Sequence, residues 1–165
     1  REGGYTEYEG EIPDTLSVPS GPWETEPNEV MLEHAGYVCE LKRHPTTGTW
    51  NGYVYVGENH PLFKNVNQDD TWEFLNVHGG VTYKHEGKFG FDTAHAGDYT
   101  PNLPWSHEGP KSYRDLEYVK AEVCSLAQQL RNYDTAYHHK MFDLADKLDK
   151  RANAIRKAMQ RKEKN

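Results

Sequence analysis

The C-terminal part of the chain carries the strongest constraint on its fold. Apolar residues recur there at helical spacing: Leu116, Val119, Val123, Leu126 and Leu130, then Tyr137, Met141, Leu144, Leu148, Ala152, Ile155 and Met159. Residues three and four apart share one side of an α-helix, so each run makes an apolar stripe that needs cover. Ser112, after Pro110, is the expected N-cap, with Asp115 where a capping box wants an acid. Asn132 and Asp134 predict a break between two helices. The second run alternates steps of three and four, as a coiled-coil seam does. The short connection favours an antiparallel helical hairpin over docking of the last helix on another chain.

Upstream the period falls to two. Tyr37, Cys39 and Leu41 alternate with Val38, Glu40 and Lys42, which predicts a strand. Turn residues fill His44 to Gly48, and Trp50 with Tyr53 to Val56 predicts the second strand of a hairpin. Further strands are expected over Trp72–Val77, Val81–Lys84 and Lys88–Phe91. Prolines and glycines from Gly97 to Pro110 exclude regular structure, and Trp105 among them reads as a plug or lid contact. The expected fold is therefore α+β: a small twisted antiparallel sheet of about four or five strands packed by one helix, plus a long C-terminal helix. An acidic extended arm (1–33), an α+β core domain (34–131) and a basic amphipathic helix (132–165) are the expected divisions. Tyr5, Tyr8 and Trp23 suggest an arm pinned onto the domain or onto a partner, with a flexible tail as the alternative.

A length of 165 residues suits one domain, and 11 Tyr with 4 Trp offset an apolar fraction of only 35%. The net charge of −7 argues against general nucleic-acid binding, which needs clustered cations. The charge is uneven, acidic at the head (Glu2, Glu7, Glu9, Glu11, Asp14) and basic from Lys140 onward, so a homo-oligomer clasped through its termini is one expectation. Cys39 and Cys124 read as reduced core thiols. No apolar run approaches membrane-spanning length and no signal peptide is visible, so no membrane partner is expected. Walker, Rossmann, nucleophile-elbow and Cys-x-x-Cys patterns are absent.

The densest group of chemistry-bearing residues runs from Val77 to Asp98. His78 precedes Gly79-Gly80, and Asp92, His95 and Asp98 follow at intervals of three. The strings His78-Gly79-Gly80-Val81-Thr82-Tyr83, Gly90-Phe91-Asp92-Thr93-Ala94-His95-Ala96-Gly97-Asp98 and Tyr113-Arg114-Asp115-Leu116-Glu117-Tyr118-Val119 occur in that order. Together they resemble a family of small phage and prophage proteins that read His-Gly-Gly-Leu-Thr-Tyr, Gly-Phe-Asp-Cys-Ala-His-Ala-Gly-Asp and Tyr-Arg-Asp-x-x-Tyr-Val. The chain departs at Thr93, where the family often has Cys, and adds the arm and the basic helix. The family has no settled function. The resemblance implies a phage accessory protein, with counter-defence among its roles, working in the cytoplasm of an infected bacterial host.

Three readings of the constellation stay open. His78, His95, Asp92 and Asp98 suit a divalent metal. Without metal, His78 and His95 are candidate general acid and base of a nucleotide or phosphoester hydrolase or lyase, oriented by Asp92 or Asp98. Gly79 and Gly80 would bring backbone N–H groups to a phosphate, with Thr82, Tyr83, Arg114 and Trp105 as further ligand-binding residues. The third reading is structural: tight turns, a capping Asp98, a buried His95 and an Asp92–Arg114 ion pair between sheet and helix. The functional expectation is an accessory protein binding a host protein or a small nucleotide ligand at this pocket. The alternatives are an enzyme of the kind just named and a virion or assembly component. His60, His85 and His107 fall in loops expected to face solvent, with His107 a second lid candidate, and Asp69-Asp70 lacks the rest of a calcium loop.

Overall fold

The computed structural model describes residues 19–64, 73–106 and 108–165. The expectations for Tyr5, Tyr8, Asp69-Asp70, Trp72 and His107 lie outside the described residues. After a short 3-10 turn, Pro22–Glu24, come β1 (Glu29–His34), β2 (Tyr37–Arg43), β3 (Trp50–Tyr55), β4 (Tyr83–His85), β5 (Lys88–Asp92) and α1 (Leu116–Glu163). The strands form one antiparallel sheet in the order β1-β2-β3-β5-β4. The fold is α+β, with a single long helix doing what two were expected to do.

The tight connections follow from local chemistry. Ala35-Gly36 and Glu86-Gly87 are two-residue turns with positive φ at both positions, the geometry that matches strand twist. Cross-strand register aligns Cys39 with Val54 and Val54 with Phe89, and likewise Leu41 with Gly52 and Gly52 with Phe91. These residues share one face, and that face meets Val119, Val123, Leu126, Ala127 and Leu130 of α1 in the buried core. Cys39 and Cys124 are free thiols. Burial pushes the Cys39 thiol up to about 11.

Four details depart from the sequence reading. β1 falls at the end of the stretch read as an extended arm. It is an edge strand whose Val30 and Leu32 are only partly covered, so its alternation is muted. Residues 73–77 form no strand. Leu75 and Val77 are buried as alternation requires, but the intervening Asn76 pairs its backbone with a helix side chain, donating to Gln129 Oε1 and accepting from Gln129 Nε2 at 2.7 Å each. Asp115, not Ser112, is the N-cap, accepting from the Tyr118 N–H at 2.9 Å, while Ser112 bridges to Asp98. The helix does not break at Asn132 or Asp134. Asn132 Oδ1 accepts from Gln128, and Asp134 pairs with Arg131 and His138, so both side chains bond within the helix instead of competing with it.

A strap before β1 ties the sheet to the helix N-terminus. Glu26 accepts from Trp50 Nε1 (3.0 Å), the Tyr113 hydroxyl (2.7 Å), Arg43 Nη2 (3.2 Å) and the Leu116 N–H (2.9 Å). Trp23 packs its ring against Tyr99 and Tyr113. Burial alone would push the Glu26 carboxyl up, but these four hydrogen bonds outweigh it and hold the group below its ordinary range. His60 is buried rather than solvent-facing. It accepts from the Leu62 N–H at Nδ1, so its Nε2 donates to the Leu130 carbonyl at 2.9 Å. No helix of the described residues is long and apolar enough to cross a membrane.

Candidate functional site

The constellation gathers around one buried carboxylate. Asp98 follows the turn after β5, and its backbone is fixed by bonds to the His95 carbonyl and by the bridge to Ser112. Its side chain, 1% exposed, accepts from Arg114 Nε at 2.8 Å through Oδ1. Through Oδ2 it takes His78 Nε2 at 2.7 Å and the His95 N–H at 3.1 Å. Burial raises the Asp98 carboxyl, while the bonds from Arg114, His78 and the His95 amide lower it further, so it stays ionised below its ordinary value. The anionic partner in turn raises Arg114.

His78 is fully engaged. With Nε2 donating to Asp98, Nδ1 accepts the Tyr118 hydroxyl at 2.8 Å. Its backbone N–H donates to Glu122 Oε2 at 2.9 Å. Helix α1 thus grips the Val77–Gly80 turn from two positions four apart. Burial raises the Tyr118 hydroxyl, with the Glu122 charge adding to it, the opposite of what an activated nucleophile needs.

His95 differs. Its side chain is 35% exposed, and its ring lies 5.9 Å from that of His78. Nε2 sits 3.1 Å from Asp92 Oδ1 but out of line for a hydrogen bond, and it is buried without another partner. Nδ1 makes no hydrogen bond among the described residues. Gly79, at φ +67°, lies so close that a Cβ there would collide with the His95 ring. Asp92 is held by the Thr82 hydroxyl at 2.9 Å and the Ala94 N–H at 3.1 Å. On its other side is a cleft of about 240 Å³ lined by His44, Thr47, Thr49, Asn51, Asp92 and Ala94.

The structure therefore brings together His78, His95, Asp92, Asp98, Arg114, Gly79 and Thr82. Gly80 is in the same turn, its N–H bonded to the Val77 carbonyl. Tyr83 packs instead against Tyr53 and Lys88. Trp105 is 76% exposed and makes no ring contact with the group among the described residues. The ion pair expected between Asp92 and Arg114 forms instead between Asp98 and Arg114, because Asp98 is the carboxylate that faces the helix start. Sequence reasoning passed over Tyr118 and Glu122. Tyr118 and Glu122 lie four apart and so share one face of α1, and that was the signal available. Among the described residues no three His, Cys, Asp or Glu side chains gather so as to hold a metal ion. No known protein family, curated protein or solved structure matches the chain.

Proposed function

We propose that this is a phage accessory protein, of counter-defence type, that captures a small nucleotide-type anion at the surface formed by His95 and Arg114. The observation that carries the reading is that one buried carboxylate, Asp98, bonds both the Arg114 side chain and the His95 backbone. Asp98 fixes Arg114 through Nε alone, and the two terminal guanidinium nitrogens make no hydrogen bond among the described residues. The same carboxylate fixes the His95 backbone, leaving the ring's Nδ1 open. A two-nitrogen guanidinium fork and an open imidazole nitrogen each suit a phosphate, and tying both residues to Asp98 in advance lowers the ordering cost of binding. A host protein presenting a phosphate or carboxylate would use the same groups. The phage setting rests on the resemblance of the three motif strings.

Thermal shift and calorimetry with inorganic phosphate and with mono-, di- and cyclic nucleotides test this. A ligand at 100 times its Kd stabilises by about 2.7 kcal/mol, and the gain should vanish in His95→Ala and fall in Arg114→Lys. Absence of any stabilisation, or a gain that both variants keep, rejects the reading.

The Asp92–His95 pair supports a second reading, a hydrolase or lyase of the same ligand class. With Nε2 3.1 Å from Asp92 Oδ1 and Nδ1 open, a rotation of the ring into line would give the carboxylate–imidazole arrangement of an oriented general base. That reading requires product formation from the bound nucleotide, lost in His95→Ala and sharply reduced in Asp92→Asn.

A further inference from the structure

Helix α1 runs 48 residues, about 70 Å at 1.5 Å per residue, and the sheet covers only its first third. Tyr133 is the last residue of the helix packed against the core. Beyond it Tyr137, Met141, Leu144, Leu148, Ile155 and Met159 stand between 39% and 61% exposed. At 100° per residue, these six and Ala152 lie within about 40° of the Leu148 direction. Val119, Val123, Leu126 and Leu130 lie on that same meridian. The exposed stripe is thus the straight continuation of the stripe the sheet covers.

The stripe is also symmetric in sequence. Tyr137, Met141 and Leu144 lie 11, 7 and 4 residues before Leu148, and Ala152, Ile155 and Met159 lie 4, 7 and 11 after it. We propose that two copies of the chain pair through this stripe as an antiparallel dimer with its two-fold axis at Leu148. Leu148 then meets Leu148, Leu144 meets Ala152, Met141 meets Ile155 and Tyr137 meets Met159. A two-fold interface presents the same patch from both sides, which this spacing provides.

The fold dictates the direction. In a parallel pair both sheets, each seated on the shared meridian, would need the same volume between the helices. In the antiparallel pair Glu163, where the helix ends, comes level with Tyr133 of the other copy, where that copy's sheet cover stops. Charge agrees. Residues 134–148 hold Asp134, Asp143 and Asp146 against Lys140 and Lys147. Residues 149–165 hold Asp149 and Glu163 against Lys150, Arg151, Arg156, Lys157, Arg161, Lys162 and Lys164. Antiparallel pairing sets the strongly basic half against the weakly acidic one, whereas parallel pairing stacks basic on basic. Near the axis, Lys147 and Arg151 of both copies share one edge, so the apolar stripe and not flanking ion pairs holds the seam. Six large side chains with roughly 100 Å² each to cover, plus the stems of flanking cations, approach the about 800 Å² per partner of a standard interface.

Sedimentation equilibrium and light scattering of the full chain test the proposal. The expected result is a dimer at micromolar concentration that 1 M NaCl leaves intact. Leu148→Glu, which sets two carboxylates against each other at the axis, should weaken it by on the order of 100-fold or more, while the urea midpoint of the sheet and the helix turns packed on it stays unchanged. Single variants Tyr137→Cys and Met159→Cys should cross-link when mixed and oxidised, and not when alone. A monomer at 100 times that concentration, on the order of 0.1 mM, overturns the inference, as does a dimer indifferent to Leu148→Glu. A cross-link of Tyr137→Cys to itself overturns the antiparallel register. Loss of the dimer in salt would replace the apolar seam with a charge clasp by the acidic segment.

Discussion

Asp98→Asn is the most informative single change. The asparagine has the same shape but only one acceptor oxygen for three donors. Suppose that oxygen keeps Arg114 Nε, now 2.8 Å from Asp98 Oδ1. The amide nitrogen then takes the place of Oδ2, which now accepts from the His95 N–H at 3.1 Å, and sets donor against donor. His78 is able to adapt by switching tautomer, accepting at Nε2 and donating from Nδ1 to Tyr118. The orphaned His95 N–H costs about 1–3 kcal/mol in a site this buried, and weakening a charge-assisted bond to a neutral one costs about 1 kcal/mol more. The expected loss is about 2–4 kcal/mol, or a melting point lower by about 5–15 °C for a chain of this size. Urea denaturation followed by tryptophan fluorescence measures it, since Trp50 is buried in the core.

The pH dependence follows from the lowered carboxyl. A group whose folded value lies below its unfolded value contributes in full above the unfolded value and loses that contribution as pH falls through the folded one. The gap between parent and Asp98→Asn is therefore complete above the ordinary 3.8 and closes as pH drops below it. A variant within about 0.5 kcal/mol of the parent at pH 7, or a gap that widens in acid, refutes the hub role of Asp98.

Two further outcomes are expected. Glu26→Ala leaves the Leu116 N–H, Trp50 Nε1 and the Tyr113 hydroxyl without their acceptor and should cost about 3 kcal/mol in thermal melts, with Glu26→Gln milder and the deficit closing below pH 4.5. Gly79→Ala meets both a positive φ and the His95 ring, so it should cost about 1–3 kcal/mol and shift the His95 ring resonances, and an unmoved His95 would refute the contact.

Much of the fold was legible because its periods are clean. The stripes at Leu116–Leu130 and Tyr137–Met159 and the alternation at Tyr37–Leu41 announced a helix and a strand. What escaped was decided by tertiary partners. The 73–77 segment alternates like a strand, yet Gln129 and not a neighbouring strand completes its backbone. β1 is an edge strand and so lacks the contrast between faces that alternation needs. Asn132 and Asp134 read as breakers because their low helix propensity is local information, whereas their side-chain bonds along the helix are not visible as a period. At the site, His78, His95, Asp92 and Asp98 were recognised as a group. Which carboxylate is the hub depends on the turn that aims Asp98 at the helix start, and no spacing rule encodes that. Glu26 gives no signal in the sequence, because its four donors come from three distant parts of the chain.

The strap at Glu26 also dictates an order of assembly. Its helix partner, Leu116, lies 90 residues downstream, and the Ala35 carbonyl waits 96 residues for Arg131. At a synthesis rate of about 5–20 residues per second, that is roughly 5–20 s of waiting, against microseconds for a hairpin such as β1–β2 to close. For that interval the nascent sheet shows Cys39, Leu41 and Val54 to solvent with nothing to cover them. Only when residues 119–130 leave the ribosome does the chain supply the helix face that covers them.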